Sequence, residues 1–233
     1  MLINNEDISR SVLLQIPVRG FFICPSTPGS KIPSHGIYQY GVEYAIDFVI
    51  VDAKAKSQKP YHSGFFTYLI KGLSLSDFYG WGTNIYSPVK GVVVQVVDGI
   101  EERNSVNVFK DLHNAARITR AYNNNLVDSK YLLGNNVIIK TDKSEYIVLA
   151  HLQKNSIVVK KGQSVDVSSV IGRLGHSGNS TMPHLHLQVM DNLDFRKAKG
   201  LPIIFSQYYV MEKGNRFDIH NSIPITGQIM FFS

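Results

Sequence analysis

Met182-Pro183-His184-Leu185-His186-Leu187-Gln188-Val189-Met190 is the stretch on which the fold turns. On an extended strand, side chains two apart leave the same face, so His184 and His186 project together while Leu185, Leu187 and Val189 face the other way into a core. Pro183 fits a strand start, where a missing N–H is tolerated. Two imidazoles at this spacing suit a first-row transition metal. Taken alone, however, a half-buried strand with one polar face reads the same way.

Working outward, the run Glu43-Tyr44-Ala45-Ile46-Asp47-Phe48 has the same two-faced alternation and predicts a strand over Val42 to Val51. Val42, Tyr44, Ile46 and Phe48 share one face; Glu43, Ala45 and Asp47 share the other. A carboxylate in such a half-enclosed setting calls for a cation or a donor, because an unpaired buried charge is costly. His151 ends the apolar stretch Tyr146-Ile147-Val148-Leu149-Ala150. It reads either as a satisfied core histidine or as a base beside a metal.

Further strands are expected at Gly91 to Val97, Asn136 to Thr141, Glu145 to His151, Val170 to Leu174 and Ile203 to Val210, separated by turns such as Ser87-Pro88, Lys161-Gly162 and Gly175 to Gly178. The expected fold is therefore mostly β. Glu101 to Lys130 breaks the pattern: Val108, Leu112, Ala115, Ala116 and Ile118 fit helical spacing loosely. That segment reads as an insertion with one or two helices, or as a long loop.

Composition bounds the function. The 233 residues are 44% apolar and 18% charged, which excludes a disordered or collagen-like chain. No stretch reaches the roughly 18 apolar residues of a membrane helix. The opening Met1-Leu2-Ile3-Asn4-Asn5-Glu6-Asp7 has neither a basic start nor a secretory core, and Val12 to Ile16 is too short to be one, so no export signal is expected here, a trimmed leader aside. A single Cys24 excludes an intrachain disulfide and a cysteine-rich metal site, which leaves His, Asp and Glu as ligands. Lys and Arg outnumber Asp and Glu by 24 to 18, so the chain, at net charge +6, is drawn to anionic surfaces such as wall polymers or nucleic acid. With no basic stretch interleaved with aromatics, nucleic acid is not the expected partner.

Several short motifs occur in a telling order: Tyr44-Ala45-Ile46-Asp47-Phe48, Ser87-Pro88-Val89-Lys90-Gly91, Gly134-Asn135-Asn136-Val137, Leu149-Ala150-His151-Leu152, Val159-Lys160-Lys161-Gly162, Ile171 to Ser180 and Pro183 to Leu187. Over roughly residues 33 to 190 this order resembles the lysostaphin/LytM-type zinc metallopeptidases that cut peptidoglycan cross-bridges. The resemblance implies a mostly β fold, an antiparallel sheet with a barrel-sandwich-like core (the duplicated hybrid motif) and a partly helical insertion at 100–133. Residues 1–32 would then form an N-terminal strand or extension, and 191–233 a C-terminal extension packed on the same domain.

The resemblance also implies roles. Asp47 and His186 would bind Zn2+, and His151 and His184 would flank the attacking water. The position four before Asp47, a histidine in most of the family, is Glu43 here. This looks like the branch with Tyr-Ala-x-Asp, in which an upstream histidine supplies the third ligand, and His35 in Pro33-Ser34-His35-Gly36 is the candidate. Glu43 is the alternative ligand. His62, His113, His176 and His220 fall outside the matched positions and are expected on surfaces or loops, with His176 able to line a cleft. The implied activity is zinc-dependent hydrolysis of peptide bonds in peptidoglycan, with a role at the cell envelope or outside the cell. The rival is a noncatalytic wall-binding or regulatory domain that has lost the metal. A biotinyl or lipoyl carrier, suggested by the Lys-Gly hairpins, explains neither His151 nor the His184/His186 pair.

Overall fold

β-branched and aromatic runs punctuated by Gly, Pro and Asn form fifteen strands in the computed structural model, which describes residues 10–52, 54 and 58–233. In chain order they are β1 (Val12–Leu14), β2 (Gly20–Ile23), β3 (Ile46–Ile50), β4 (Leu73–Ser74), β5 (Asn84–Tyr86), β6 (Gly91–Val97), β7 (Ser105–Val106), β8 (Asn135–Lys140), β9 (Tyr146–Leu152), β10 (Ser164–Val165), β11 (Val170–Arg173), β12 (Leu185–Met190), β13 (Ile203–Glu212), β14 (Asn215–Ser222) and β15 (Ile229–Phe232). Among the described residues three α-helices accompany them: α1 (Phe65–Lys71), α2 (Val108–Asn123) and α3 (Ser129–Leu133). The first nine residues of the expected N-terminal segment lie outside the described residues.

Eleven strands join one sheet in the order β1-β13-β15-β2-β3-β12-β9-β8-β6-β10, with β14 paired along β13. The pairings are antiparallel except β1 with β13, which is parallel. The sheet stays open, and its two halves meet through β3, whose Ile46 to Phe48 pair with β12 while Val49 and Ile50 pair with β2. One apolar core lies between the halves: Phe48 packs 5.5 Å from Phe22 and 5.7 Å from Phe205, ring to ring, beside Ile139, Leu149 and Leu187. The fold is mostly β with a sandwich-like core. No helix among the described residues is long and apolar enough to cross a membrane.

Register is what places the site. Along β12, Leu185, Leu187 and Val189 enter the main core while His186, Gln188 and Met190 take the other face. Burying each leucine contributes roughly 1.5–3 kcal/mol, so a slip of one residue, which would take all three apolar side chains out of the main core and put His186 and Gln188 there, is strongly disfavoured. On that other face Met190 joins a smaller cluster with Leu133, Ile138, Val148, Ala150, Phe195 and Ala198. β13, β14 and β15, all beyond residue 190, belong to the same sheet as β12.

Two expectations, the start of the Asp47 strand and that of the His184 strand, are corrected by the structure, and one, the helical insertion, is met. The strand expected from Val42 begins only at Ile46, because Tyr40 and Gly41 take positive φ (65° and 71°) and the chain turns, with Ala45 N–H donating to Val42 O at 3.1 Å. Glu43 therefore shares no strand face with Asp47. His184 precedes β12, which starts at Leu185. The segment after Asp98 holds two helices, α2 capped by the Asn107 side chain, which accepts from Lys110 N–H at 3.1 Å. A small cluster of Tyr61, Tyr68, Leu73, Leu75, Phe78 and Val106, which includes α1, had no counterpart in the periodicity.

Candidate metal centre

β3 and β12 pair with His186 opposite Asp47, and β12 and β9 pair with His186 opposite Ala150. Adjacent strands thus deliver Asp47, His186 and the end of β9 to one spot, and the loop before β3 brings His35. His186 Nδ1 lies 3.0 Å from Asp47 Oδ1, and His35 Nε2 lies 3.1 Å from Asp47 Oδ2. One ligand atom from each of His35, Asp47 and His186 falls within 4.8 Å of the other two. His184 Nε2 stands 3.7 Å from Asp47 Oδ1. The His151 ring centre is 4.7 Å from that of His184 and 5.8 Å from that of His186.

The outer nitrogen of each imidazole is already committed. Gln188 donates through Nε2 to Tyr40 O (2.9 Å), which turns its Oε1 to accept from His186 Nε2–H at 2.9 Å. Ser34 donates its hydroxyl to Val42 O (3.2 Å) and so accepts from His35 Nδ1–H at 3.0 Å. What remains, His35 Nε2 and His186 Nδ1, are lone pairs aimed at the Asp47 carboxylate. Acceptor facing acceptor at about 3 Å is repulsive unless a cation lies between them. Zinc bonds of about 2.0–2.1 Å in a tetrahedron place ligand atoms about 3.3 Å apart, close to the separations seen here, so this donor set fits the ion. Burial alone would push the Asp47 carboxyl up. The surrounding imidazoles outweigh it and hold Asp47 well below the usual carboxylate range.

His151 reaches the cleft by a break in the strand rhythm. Ile147 and Leu149 face the main core, and strict alternation would send residue 151 after them. Instead the pairing jumps from Val137↔Leu149 to Asn135↔Leu152, so Ala150 and His151 together oppose Asn136. This is a β-bulge, with His151 at φ 62°. Leu152 resumes the core position and the imidazole turns outward. Its Nδ1–H donates to Ser177 O at 2.9 Å, leaving Nε2 free. Burial, then the nearby His184 and His186, push the His151 pKa well below the ordinary imidazole value, which keeps the ring neutral. His184 likewise donates Nδ1–H to Met182 O at 2.8 Å, and its Nε2 is the nitrogen on the Asp47 side.

These groups line a cleft of about 260 Å³ whose lining includes Thr119, Tyr122 and Asn123 of α2 and Leu132 of α3. Tyr40 donates its hydroxyl to Asn123 Oδ1 at 2.8 Å and packs edge-on against Tyr122, ring centres 5.0 Å apart. The helical insertion is thus a wall of the cleft.

All five residues singled out from the sequence, His35, Asp47, His151, His184 and His186, line this cleft. Glu43 is absent from the ligand cluster; its Oε1 accepts from Gly200 N–H at 2.9 Å. His62 and His220 are engaged elsewhere, against Tyr79 and Asp218 respectively. His176, on a loop as expected, is fully buried beside Arg103 and Ser180, because its loop is pressed against the chain entering β8: a Cβ on Gly178 would clash with Gly134 N. Gln188 and Ser34 escaped the sequence reading, although Gln188 lies two beyond His186 on the same strand face.

Among solved structures, the chain is similar to the catalytic domain of the prophage-encoded M23 protein EnpA from Enterococcus faecalis (18% identity over 78% of this chain and 88% of that one, TM-score 0.41). It is also similar to the catalytic domain of lysostaphin from Staphylococcus simulans (16% identity, 84% and 93%, TM-score 0.38). A third is a zinc-containing peptidase from Vibrio cholerae (20% identity, 81% of this chain and 36% of that one, TM-score 0.35). The model of peptidase family M23 matches residues 71–197, a span that holds His151, His184 and His186 and begins after His35 and Asp47. That is more than half of the chain, and the chain belongs to peptidase family M23.

Proposed function

We propose that this chain is a zinc-dependent endopeptidase that hydrolyses peptide bonds in bacterial peptidoglycan cross-bridges, with a role at the cell envelope. The observation that carries the reading is the convergence of His35 Nε2, Asp47 and His186 Nδ1, acceptors all, on one point. Those three residues would hold the ion. Zinc, when bound, would polarise the scissile carbonyl and make water acidic enough to attack at neutral pH.

The chain's own groups do the rest. His151 and His184 each have Nδ1–H tied to a backbone carbonyl, so each presents an unprotonated Nε2. One such nitrogen takes the proton from the attacking water; once protonated, it can return that proton to the leaving amine. The other, once its Nε2 has taken a proton from solvent, hydrogen-bonds the developing oxyanion. Nδ1–H bonds to backbone carbonyls give these rings little freedom, and preorganisation of this kind accounts for much of an enzyme's rate enhancement. The family and the peptidoglycan-directed character of lysostaphin-type enzymes support the substrate class.

Two measurements on the chain purified without chelators test the reading. Zinc analysis should give about one ion per chain, and purified sacculi and cross-bridge peptides should be cut at peptide bonds. Chelation should stop cleavage and zinc should restore it. A folded chain that takes up no zinc, or that holds zinc and cuts no wall peptide, overturns the proposal.

A further inference from the structure

Behind His184 lies a buried polar chain that the reaction outlined above does not use. Arg103, in the segment entering α2, donates Nε–H to Asp111 Oδ1 at 2.6 Å, and Asp111 sits in the first turn of α2, 1% exposed. Asp111 Oδ2 in turn accepts from Asn107 N–H at 2.7 Å. The same guanidinium donates to Gly178 O at 3.1 Å, to Ser180 O and, through Nη2, to His176 Nε2 at 3.0 Å. Beyond His176, Nδ1 lies 3.0 Å from Ser180 Oγ, and Ser180 donates its hydroxyl to Met182 O at 2.6 Å. Met182 O and Ser180 Oγ are the two acceptors of His184 Nδ1–H, at 2.8 Å and 3.2 Å.

The direction of this chain follows from one residue. Arg103 has donors and no acceptor, so His176 Nε2 must accept from it. The His176 proton then sits on Nδ1 and is donated to Ser180 Oγ. The Ser180 hydroxyl is left to point at Met182 O, which fixes the carbonyl that holds His184. Asp111 Oδ1 is 3.8 Å from His176 Nε2, too long to be a hydrogen bond, and does not compete. Burial lowers the His176 pKa, in keeping with a neutral ring that accepts at Nε2. His176 and Ser180 are 0% and 1% exposed, so the orientation is shielded from water.

We infer that Arg103, Asp111, His176 and Ser180 form a relay through which the helical insertion positions the His184 imidazole, holding its Nε2 towards the cleft. These are positioning residues, since none touches the ligand cluster. The inference rests on the reading of His184 as a base or oxyanion donor in peptide hydrolysis. It makes the insertion, a wall of the cleft, also a support for the group that moves the proton.

The test uses the full chain with zinc and two variants, Ser180→Ala and Arg103→Met. Imidazole nitrogen NMR of the wild type should show His176 protonated at Nδ1. In Arg103→Met nothing donates to Nε2 and the Asp111 carboxylate attracts a proton there, so the His176 tautomer should switch. Ser180→Ala should keep its fold and about one zinc per chain. Its kcat on a cross-bridge peptide should fall about ten- to a hundredfold, with KM within about twofold of wild type. Wild-type kcat in Ser180→Ala, an unchanged His176 tautomer in Arg103→Met, or loss of zinc from Ser180→Ala would each overturn the relay. If the wild type cuts no peptide, the functional reading fails, while the tautomer measurement still decides whether the polarity runs as described.

Discussion

The floor of the cleft and its helical wall are wired in opposite ways. On the floor, the outer nitrogen of an imidazole is fixed by a near neighbour in sequence: His35 by Ser34, His184 by Met182, His186 by Gln188. Each ring therefore travels with its own loop or strand. In the wall, Arg103 reaches partners 73 to 77 residues away at His176 and Ser180. The floor's imidazoles are mostly fixed by short-range contacts within their own loops and strands, and the wall is built by tertiary packing of an insertion onto a loop. Damage to His35, Asp47 or His186 on the floor should remove the ion, whereas damage to the wall should leave it and slow the reaction.

The largest effect expected is at the floor. His186→Ala removes a ligand nitrogen from the strand that pairs with β3 and β9, so zinc should fall to background and hydrolysis by at least about a thousandfold. Asp111→Asn, in the wall, should retain about one zinc per chain. Elemental analysis of the two variants side by side measures the contrast. An Asp111→Asn chain that loses its zinc, or a His186→Ala chain that keeps it, breaks the division between floor and wall.

A smaller effect tests the local wiring itself. Gln188 presents Oε1 to His186 Nε2–H and so keeps Nδ1 as the lone pair. Gln188→Leu has no such acceptor and should weaken zinc affinity about ten- to a hundredfold, measured by competition with a chromophoric chelator. Glu43→Gln should leave affinity unchanged, because Glu43 is engaged with Gly200 rather than with the ligands. Equal affinity in Gln188→Leu would mean that the tautomer of His186 is fixed by something other than its strand neighbour.

The same contrast explains what the sequence disclosed. Leu185, Leu187 and Val189 alternating with His184 and His186 announced a strand with a functional face, and that face is where the structure puts His186. The site residues carried over by motif order, His35 included, meet in one cleft. Glu43 misled because alternation was extended four residues too far; the positive φ of Tyr40 and Gly41 ends it, and nothing in a hydrophobic pattern reports φ. The burial of His176, on its expected loop, went unread for a different reason. Its burial depends on Gly134 and Gly178 letting two backbones touch and on an arginine from a distant segment, and neither relation has a period along the chain.

The smallest effect concerns the one floor imidazole that is not wired locally. His151 takes its acceptor from Ser177, 26 residues on, and reaches the cleft only because a bulge holds it at φ 62°. A side chain at positive φ costs about 1–2 kcal/mol, and glycine does not incur that cost. His151→Ala and His151→Gly both delete the imidazole and its hydrogen bond, so the difference between them isolates the backbone. His151→Gly should be the more stable by about 1 kcal/mol, read as a higher denaturant midpoint at unchanged slope. Both should be inactive and retain zinc. Equal midpoints would mean that the backbone at residue 151 relaxes once the ring is gone, so that the ring's own contacts hold the bulge open. A more stable glycine variant would mean that the bulge persists without the ring, and that the strand itself carries the strain that turns His151 from the core to the cleft.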